Sequence, residues 1–174
     1  MIMPEFIPVL NKNDIDKMVA RVARKISSDY QNQELILIGI LKGAFVFLSD
    51  LMRYLTIPVK LDFIRVCSYG SGASSSGNIR LTKEIEIDIN NKNVLIVEDI
   101  VDTGLTLSYL IDYLKTFNPK TVKICALINK HERRNANIKI HYACHDVTEG
   151  FLVGYGLDYN EDYRYLAGIY HLKL

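Results

Sequence analysis

Apolar residues recur along the chain in two patterns, and together they predict buried strands connected by helices. The runs at 35–41 (LILIGIL), 94–97 (VLIV) and 122–128 (VKICALI) are almost entirely apolar and have the length of strands covered on both faces. Residues 13–30 carry apolar side chains at helical spacing, with Asn13 or Asp14 as the expected N-cap. Further helices are predicted over 44–55 and 103–117. This alternation of strands and helices indicates an α/β protein.

Weaker patterns complete the predicted architecture. Strands are expected at 59–67, 138–144 and 151–155, and a half-exposed strand at 85–89, where isoleucine alternates with acidic residues. Residues 68–80 (SYGSGASSSGNIR) are mostly glycine and serine, so this segment has little to bury and is expected to be mobile when no ligand is bound. No repeat or linker divides the chain. We therefore expect one domain over residues 1–174, built on a doubly wound, mainly parallel sheet.

Charge and cysteine usage narrow the classes of function. The chain has 21 basic and 20 acidic side chains and a net charge of +1, so no bulk attraction to nucleic acid or to a membrane surface is expected. The three cysteines, Cys67, Cys125 and Cys144, are scattered without a paired motif, which is typical of reduced thiols. Neither a signal peptide nor a membrane-spanning run is recognisable. These features predict a soluble, cytoplasmic protein.

Ligands of doubly wound sheets bind beyond the carboxyl ends of the strands, and two adjacent carboxylates, Glu98 and Asp99, follow the strand at 94–97. Adjacent carboxylates suit hydroxyl groups, a hard cation, or both, and they would repel a phosphate. A phosphate can bind a few residues later, because Gly104 permits close approach of a ligand to the backbone. The free N–H groups of a first helical turn, with the hydroxyls of Thr103 and Thr106, can surround an anion there. The segment therefore predicts a site for ribose 5-phosphate.

An ordinary strand–loop–helix connection, in which Asp102 only caps the helix, is the alternative for this motif. The preceding acidic pair makes that alternative less favoured. The whole segment VLIVEDIVDTGLTL, at 94–107, closely resembles the phosphoribosyl pyrophosphate signature of the type I phosphoribosyltransferases. Further segments resemble one branch of them, the hypoxanthine-guanine phosphoribosyltransferases of purine salvage: LKGAFVF at 41–47, DF and SYGSG within 62–72, Lys130, and FLVGYGLDYNEDYRYL at 151–166.

This resemblance implies an activity and a finer architecture. The activity is Mg²⁺-dependent transfer of the 5-phosphoribosyl group from phosphoribosyl pyrophosphate to N9 of a 6-oxopurine, giving IMP or GMP and pyrophosphate. The architecture is the type I phosphoribosyltransferase fold, with a small hood formed by the N-terminal segment and roughly residues 130–174. The segment at 68–80 would be a lid, opened by Ser68 and Tyr69, that closes over the reacting centre.

The resemblance also implies a role for each site residue. Asp102 matches the proposed general base, which takes or shares the proton on purine N7, and Lys130 matches a lysine that donates to purine O6. The 5-phosphoribosyl group would be bound by Glu98, Asp99, Asp102, Thr103, Gly104, Leu105, Thr106 and Leu107. Pyrophosphate would be bound by Lys42, Gly43 and Arg164, in a loop that carries a cis peptide before the lysine in the family. The purine would be bound by Lys130, Phe151, Leu152 and Asp158, and magnesium by Glu98, Asp99 and Asp158.

Alternatives remain open both for the roles of single residues and for the function of the protein. Lys130 could be an ordinary surface lysine, Phe151 a core residue and Asp158 a turn residue. The base could be xanthine, adenine, uracil or orotate, although Lys130 favours a 6-oxopurine, and among these hypoxanthine is weakly preferred. A non-catalytic regulator that binds nucleic acid or a partner is a further possibility, which the lack of a basic face beyond 131–134 disfavours. A homodimer or homotetramer is implied by the resemblance alone.

Overall fold

The computed structural model describes residues 4–68 and 79–173. Nine strands and three helices are found in these residues. In chain order they are β1 (Glu5–Leu10), α1 (Lys12–Asp29), β2 (Leu35–Leu41), α2 (Phe45–Tyr54), β3 (Val59–Ser68), β4 (Ile79–Lys83), β5 (Asn93–Val101), α3 (Leu105–Lys115), β6 (Thr121–Lys130), β7 (Tyr142–Val147), β8 (Leu152–Val153) and β9 (Ile169–Lys173). None of the helices in the described residues is long and apolar enough to cross a membrane.

Six strands form the main sheet, in the order β4-β3-β2-β5-β6-β7. The five strands from β3 to β7 in this order are parallel, and β4 pairs antiparallel at the edge. One face of the sheet packs on α1 and α2, through residues such as Leu37 and Val97, and the other packs on α3, through residues such as Ile38 and Ile96. Because both faces are covered, β2 and β5 read as continuous apolar runs. The predicted doubly wound, mainly parallel fold is confirmed.

The connections of the main sheet leave a crevice between β2 and β5. From β2 the chain passes through α2 to β3 on one side, whereas from β5 it passes through α3 to β6 on the other side. The two connections diverge, so the carboxyl ends of β2 and β5 border an open space, which is where ligands bind in sheets of this type. This topology directs attention to Lys42 after β2 and to Glu98 and Asp99 near the end of β5.

A second, three-stranded antiparallel sheet has the order β1-β9-β8. It joins the two ends of the described chain, since Phe6 lies opposite Leu172 and Leu152 lies opposite His171. Neither β1 nor β9 was predicted from the sequence. Both strands are short and only partly buried, so neither carries a clear apolar run.

Several predicted boundaries are wrong, and a polar side chain or a glycine explains most of them. The N-cap of α1 is Asn11, whose side chain accepts a hydrogen bond of 3.0 Å from the amide of Asp14. Helix α3 begins at Leu105 instead of 103, because Gly104 has a left-handed backbone with φ of 81°. Strand β7 begins at Tyr142 instead of 138, because just before it the ring of His141 accepts from the amide of Ile124 at 3.1 Å.

The strand predicted at 85–89 is also wrong. Its isoleucines alternate with exposed acids as expected, but these residues pair with no strand among the described residues. The carboxylate of Asp62, on β3, accepts hydrogen bonds from the amides of Glu86 at 2.6 Å and Ile87 at 3.0 Å instead. The strand in this region is β4, so the last two residues of the expected lid, at 79 and 80, belong to the sheet.

Candidate active site

The acidic pair lies within the last part of β5, and not in a loop after a strand that ends at 97. The side chain of Glu98 is buried and lines a cavity of about 130 Å³ together with Thr106 and Leu107. The carboxylate of Asp99 lies against the end of β2, where a Cβ at Gly43 would overlap it. Burial raises the pKa of both carboxyl groups, and repulsion by Asp99 raises that of Glu98 further. A cation or hydroxyl donors at this place would therefore favour ionisation of the pair.

The turn between β5 and α3 forms the rest of this cavity. Asp102, Thr103 and Gly104 line it, and the N-cap residue of the helix is Gly104, which has no side chain to cap it. The amide of Leu105 donates to the hydroxyl of Thr103 at 3.4 Å, and the amides of Thr106 and Leu107 have no acceptor among the described residues, so they are open to an anion. The alternative in which Asp102 serves only as a helix cap is wrong. Of the predicted phosphate residues 102–107, all except Leu105 line this one cavity.

Asp102 has one paired and one unpaired carboxylate oxygen. Its Oδ2 forms an ion pair with Arg133, whereas Oδ1 is buried and has no hydrogen-bond partner among the described residues. Arg134 fixes the backbone at this place, since it donates to the carbonyl oxygens of Asp102 at 3.0 Å and Lys130 at 3.0 Å. Arg134 thus joins the ends of β5 and β6. Neither Arg133 nor Arg134 was predicted from the sequence to take part in the site.

Lys130 is the last residue of β6, beside the end of β5. Its side chain is only 6% exposed, and its Nζ lies 3.1 Å from a carboxylate oxygen of Glu132. The alternative that Lys130 is an ordinary surface lysine is therefore wrong. A buried ammonium group needs an acceptor, and the present one comes from a partly exposed neighbour.

The end of β2 contributes a cation to the same edge. The peptide bond between Leu41 and Lys42 is cis, as the resemblance implies. The Nζ atom of Lys42 lies 2.8 Å from Glu161, and the hydrogen bond from Lys42 holds the pKa of Glu161 below its ordinary value. Glu161 was not predicted, because nothing in the local sequence indicates that it meets a residue 119 positions away.

Arg164 and Asp158 belong to a tight turn that also contains Glu161. The guanidinium of Arg164 lies 2.9 Å from Asp158 and 3.4 Å from Glu161, and it donates to the carbonyl oxygen of Gly156 at 2.8 Å. Its Nε is buried and has no partner among the described residues. Asp158 also accepts from the amide of Glu161 at 2.9 Å, so it does act as a turn residue. Its ion pair with Arg164 shows that this is not its only contact.

Phe151 and Leu152 lie at the start of β8 in the small sheet. Leu152 is buried, whereas Phe151 is 52% exposed and contacts Tyr159 edge to face at 5.6 Å. The alternative that Phe151 is a core residue is wrong, and its ring has a free face. Of the predicted lid, Ser68 ends β3, while Tyr69 and the residues up to 78 lie outside the described residues.

Comparisons with known proteins agree with this geometry. Residues 9–160 match the family model described as the phosphoribosyl transferase domain, and the chain belongs to this family. It is 42% identical over 167 residues to a hypoxanthine-guanine phosphoribosyltransferase of Mycobacterium avium, which covers 92% of this chain and 82% of that protein. It is also 42% identical over 163 residues to a hypoxanthine phosphoribosyltransferase of Buchnera aphidicola, with 92% of each chain covered.

A solved structure supports the same placement. The structure of a hypoxanthine-guanine phosphoribosyltransferase of Bacillus anthracis superposes on this one with a TM-score of 0.92. The two sequences are 35% identical, and the superposition covers 99% of this chain and 100% of that chain. The family, the fold and the class of enzyme that the sequence predicts are therefore confirmed.

Proposed function

We propose that this protein transfers the 5-phosphoribosyl group from phosphoribosyl pyrophosphate to N9 of hypoxanthine or guanine and releases pyrophosphate. The observation that carries the proposal is the cavity at the end of β5, where Glu98 faces the open amides of α3. Carboxylates suit the hydroxyls of a ribose, and amides at a helix start suit its 5-phosphate. Similarity to enzymes named for hypoxanthine and guanine supports this choice of base.

Two side chains support the choice of a 6-oxopurine. The ammonium group of Lys130 is a donor that matches the O6 acceptor of hypoxanthine and guanine, and the 6-amino group of adenine would offer it no acceptor. The carboxylate of Asp102 is an acceptor for the proton on N7, and its Oδ2 is the oxygen that Arg133 now contacts. Phe151 offers the free face of its ring for stacking, and Leu152 offers backbone groups beside it.

These roles give a balanced transfer step. The lone pair of N9 forms a bond with the anomeric carbon, the bond from that carbon to the pyrophosphate oxygen breaks, and the N7 proton passes to Asp102. Negative charge builds on the leaving pyrophosphate, and Lys42 and Arg164 stabilise it together with the backbone at Gly43. Each of the two cations is now paired with Glu161 or Asp158, which the pyrophosphate would replace.

Glu98 and Asp99 fit a magnesium ion. They are adjacent oxygen donors, and the raised pKa values show that burial makes their joint ionisation costly until a cation or donor arrives. Asp158, paired with Arg164, would join a second ion only after release from that pair. A bound magnesium ion would neutralise charge on the pyrophosphate and orient it.

The remaining expectations stay proposals. The small sheet and residues 130–174 would form the hood, Ser68 and Tyr69 would open the lid, and the protein would act in the cytoplasm as a homodimer or homotetramer. Light scattering of the purified protein would measure the assembly, and a monomer at working concentration would contradict it.

The test of the proposed function is a direct assay. Purified protein is incubated with phosphoribosyl pyrophosphate and one base at a time, with and without magnesium, and the nucleotide and pyrophosphate are quantified. We expect equal amounts of both products with hypoxanthine or guanine, little with adenine, xanthine, uracil or orotate, and no turnover after chelation of magnesium. Absence of product with every 6-oxopurine would refute the proposal and favour the non-catalytic regulator.

A further inference from the structure

Two consecutive residues in the connection between β6 and β7 contact the two side chains assigned to the purine. Glu132 lies 3.1 Å from the Nζ of Lys130, and Arg133 forms an ion pair with Oδ2 of Asp102. Each residue supplies what the base would supply. The carboxylate of Glu132 is an acceptor for Lys130, as purine O6 would be, and the guanidinium of Arg133 is a donor to Asp102, as N7–H would be.

We propose that Glu132 and Arg133 form a displaceable gate over the purine site, which a base must open by replacing both ion pairs with its own hydrogen bonds. This inference rests on the proposed function, because it assumes that Lys130 and Asp102 bind the base. It adds that the free protein satisfies these two groups internally, so that the affinity for a purine is the result of a competition.

The surroundings of the gate allow it to open without unfolding. The side chain of Glu132 is 46% exposed and that of Arg133 is 61% exposed, so both can turn into solvent. Within the described part of the chain, neither side chain has a second hydrogen-bond or ion-pair partner. The next residue, Arg134, is held by contacts such as 2.7 Å to Asn129 and 3.0 Å to Lys130. The backbone beside the gate is therefore held in place by Arg134, whereas the side chains of Glu132 and Arg133 are weakly held.

The gate also adds to the selection of the base. A base with an acceptor at position 6 and a donor at position 7 replaces both pairs, so no buried group loses its partner. A base with a 6-amino group would displace Glu132 and leave the buried ammonium of Lys130 without an acceptor. Only a 6-oxopurine therefore replaces both lost ion pairs with hydrogen bonds of its own.

Binding of an unreactive base tests this inference. 9-Deazahypoxanthine keeps O6 and the N7–H donor but has carbon in place of N9. Its dissociation constant is measured by calorimetry in the presence of phosphoribosyl pyrophosphate and magnesium for the wild type, Glu132→Ala, Arg133→Ala and the double variant. Removal of exposed or partly exposed ion pairs changes equilibria by about two- to five-fold each. We expect that much tighter binding in each single variant and a larger gain in the double variant.

Two controls separate a gate from other effects. Ribose 5-phosphate has no base, so its affinity should be the same in all variants. His131→Ala removes a neighbouring hydrogen bond with Asp146, at 3.0 Å, that involves neither Lys130 nor Asp102, and it should leave the affinity for the deazapurine unchanged.

Each other outcome has a definite meaning. Unchanged affinity for the base in all gate variants would show that no competition exists, and weaker binding would show that Glu132 and Arg133 position the site; either result overturns the gate. Equal tightening of ribose 5-phosphate would show a general change of the site and would also overturn it. Failure of the wild type to bind either ligand would instead refute the proposed function.

Discussion

At the scale of single residues, the charged groups of the candidate site are already paired with opposite charges from the same chain. The pairs are Lys42 with Glu161, Lys130 with Glu132, Asp102 with Arg133, and Arg164 with Asp158. Glu161, Glu132 and Arg133 are exposed and can turn into solvent, so a ligand can replace them, whereas Asp158 is partly buried. Two buried atoms of the site, Oδ1 of Asp102 and Nε of Arg164, have no hydrogen-bond partner among the described residues. The side chains of the site are therefore already in position, and a ligand reaches their charges by replacing the present ion-pair partners.

Asp102→Asn tests the proton-accepting role. Asparagine keeps the shape of the side chain but cannot take the N7 proton, so we expect kcat for hypoxanthine to fall by about 10²- to 10³-fold with a small change in KM. Steady-state kinetics with both substrates would measure this. Asp112→Asn is the matched control, because Asp112 is exposed on α3 and contacts Lys115. If the variant kept a kcat within about two-fold of the wild type, Asp102 would be excluded as the general base.

Lys130→Gln tests recognition of O6. Loss of a charged hydrogen bond costs about 1.5–3 kcal/mol, which corresponds to a rise of about 10- to 100-fold in KM for hypoxanthine. The KM for phosphoribosyl pyrophosphate should change little. Because Lys130 is buried, circular dichroism and thermal unfolding would confirm that the variant folds, and Lys115→Gln, which alters an exposed lysine, serves as the control. An unchanged KM for hypoxanthine would contradict the O6 role.

The sequence could reveal these residues only where chemistry follows directly on a strand. Glu98, Asp99 and Lys130 stand at the ends of apolar runs, so their place at the ligand edge was predictable from the order of elements. Arg134 and Glu161 were missed because each meets its partner only in the folded chain, across 32 and 119 residues. No local pattern of residues encodes such contacts.

At the scale of elements, strands buried on both faces were predictable and partly exposed strands were not. Burial of both faces selects apolar residues at every position of β2 and β5, and that signal survives in the sequence. In the segment at 85–89 the alternation of apolar and acidic residues is real, but its amides are satisfied by the side chain of Asp62 instead of a neighbouring strand. The alternation of apolar and polar residues indicates which side chains are buried, but it does not indicate which acceptor the backbone amides bond to.

Asp62→Ala tests this substitute for strand pairing. Asp62 is buried and accepts from the amides of Phe63, Glu86 and Ile87. Burial alone would raise its pKa, but these amides and Lys83 outweigh burial and lower it. We expect the variant to lose about 2–4 kcal/mol of unfolding free energy at pH 7, because buried amides lose their acceptor. Urea unfolding would measure the loss, with Glu84→Ala in the same segment as an exposed control.

The same variant makes a prediction about pH. Because the folded pKa of Asp62 is lowered, its ionised form stabilises the fold fully above the unfolded value of about 3.9. This stabilisation is lost as the pH falls through the folded pKa. The difference in stability between wild type and Asp62→Ala should therefore be constant from neutral pH down to about pH 5 and shrink below about pH 4. A difference that does not shrink in acid would show that the charge of Asp62 is not what holds the segment.

At the scale of the whole molecule, the candidate site is assembled from two sheets. The main sheet supplies Glu98, Asp99, the turn before α3, Lys130 and Lys42, whereas β8 of the small sheet and the turn that follows it supply the other residues assigned to the base and pyrophosphate. The hydroxyl of Tyr155 donates to Asp50 on α2 at 2.7 Å, which attaches the segment after β8 to a helix that covers the main sheet. A ligand with both a 5-phosphate and a base would thus bridge the two sheets, with its 5-phosphate bound beside the main sheet alone.

Hydrogen–deuterium exchange can separate the two contributions. The amides of residues 105–107 have no intrahelical acceptor, and that of Leu105 has only a long hydrogen bond of 3.4 Å to the hydroxyl of Thr103, so they should exchange fast in the free protein and slow on binding of a 5-phosphate. Of residues 105–107 and 151–164, ribose 5-phosphate should protect only the first segment, inosine only the second, and IMP both. At a ligand concentration of 100 times Kd, the free state is about 100-fold less populated, so exchange of the protected amides slows by about 100-fold. If ribose 5-phosphate protected 151–164 as strongly as IMP, the two parts would respond as one unit, and the division of the site between the sheets would be wrong.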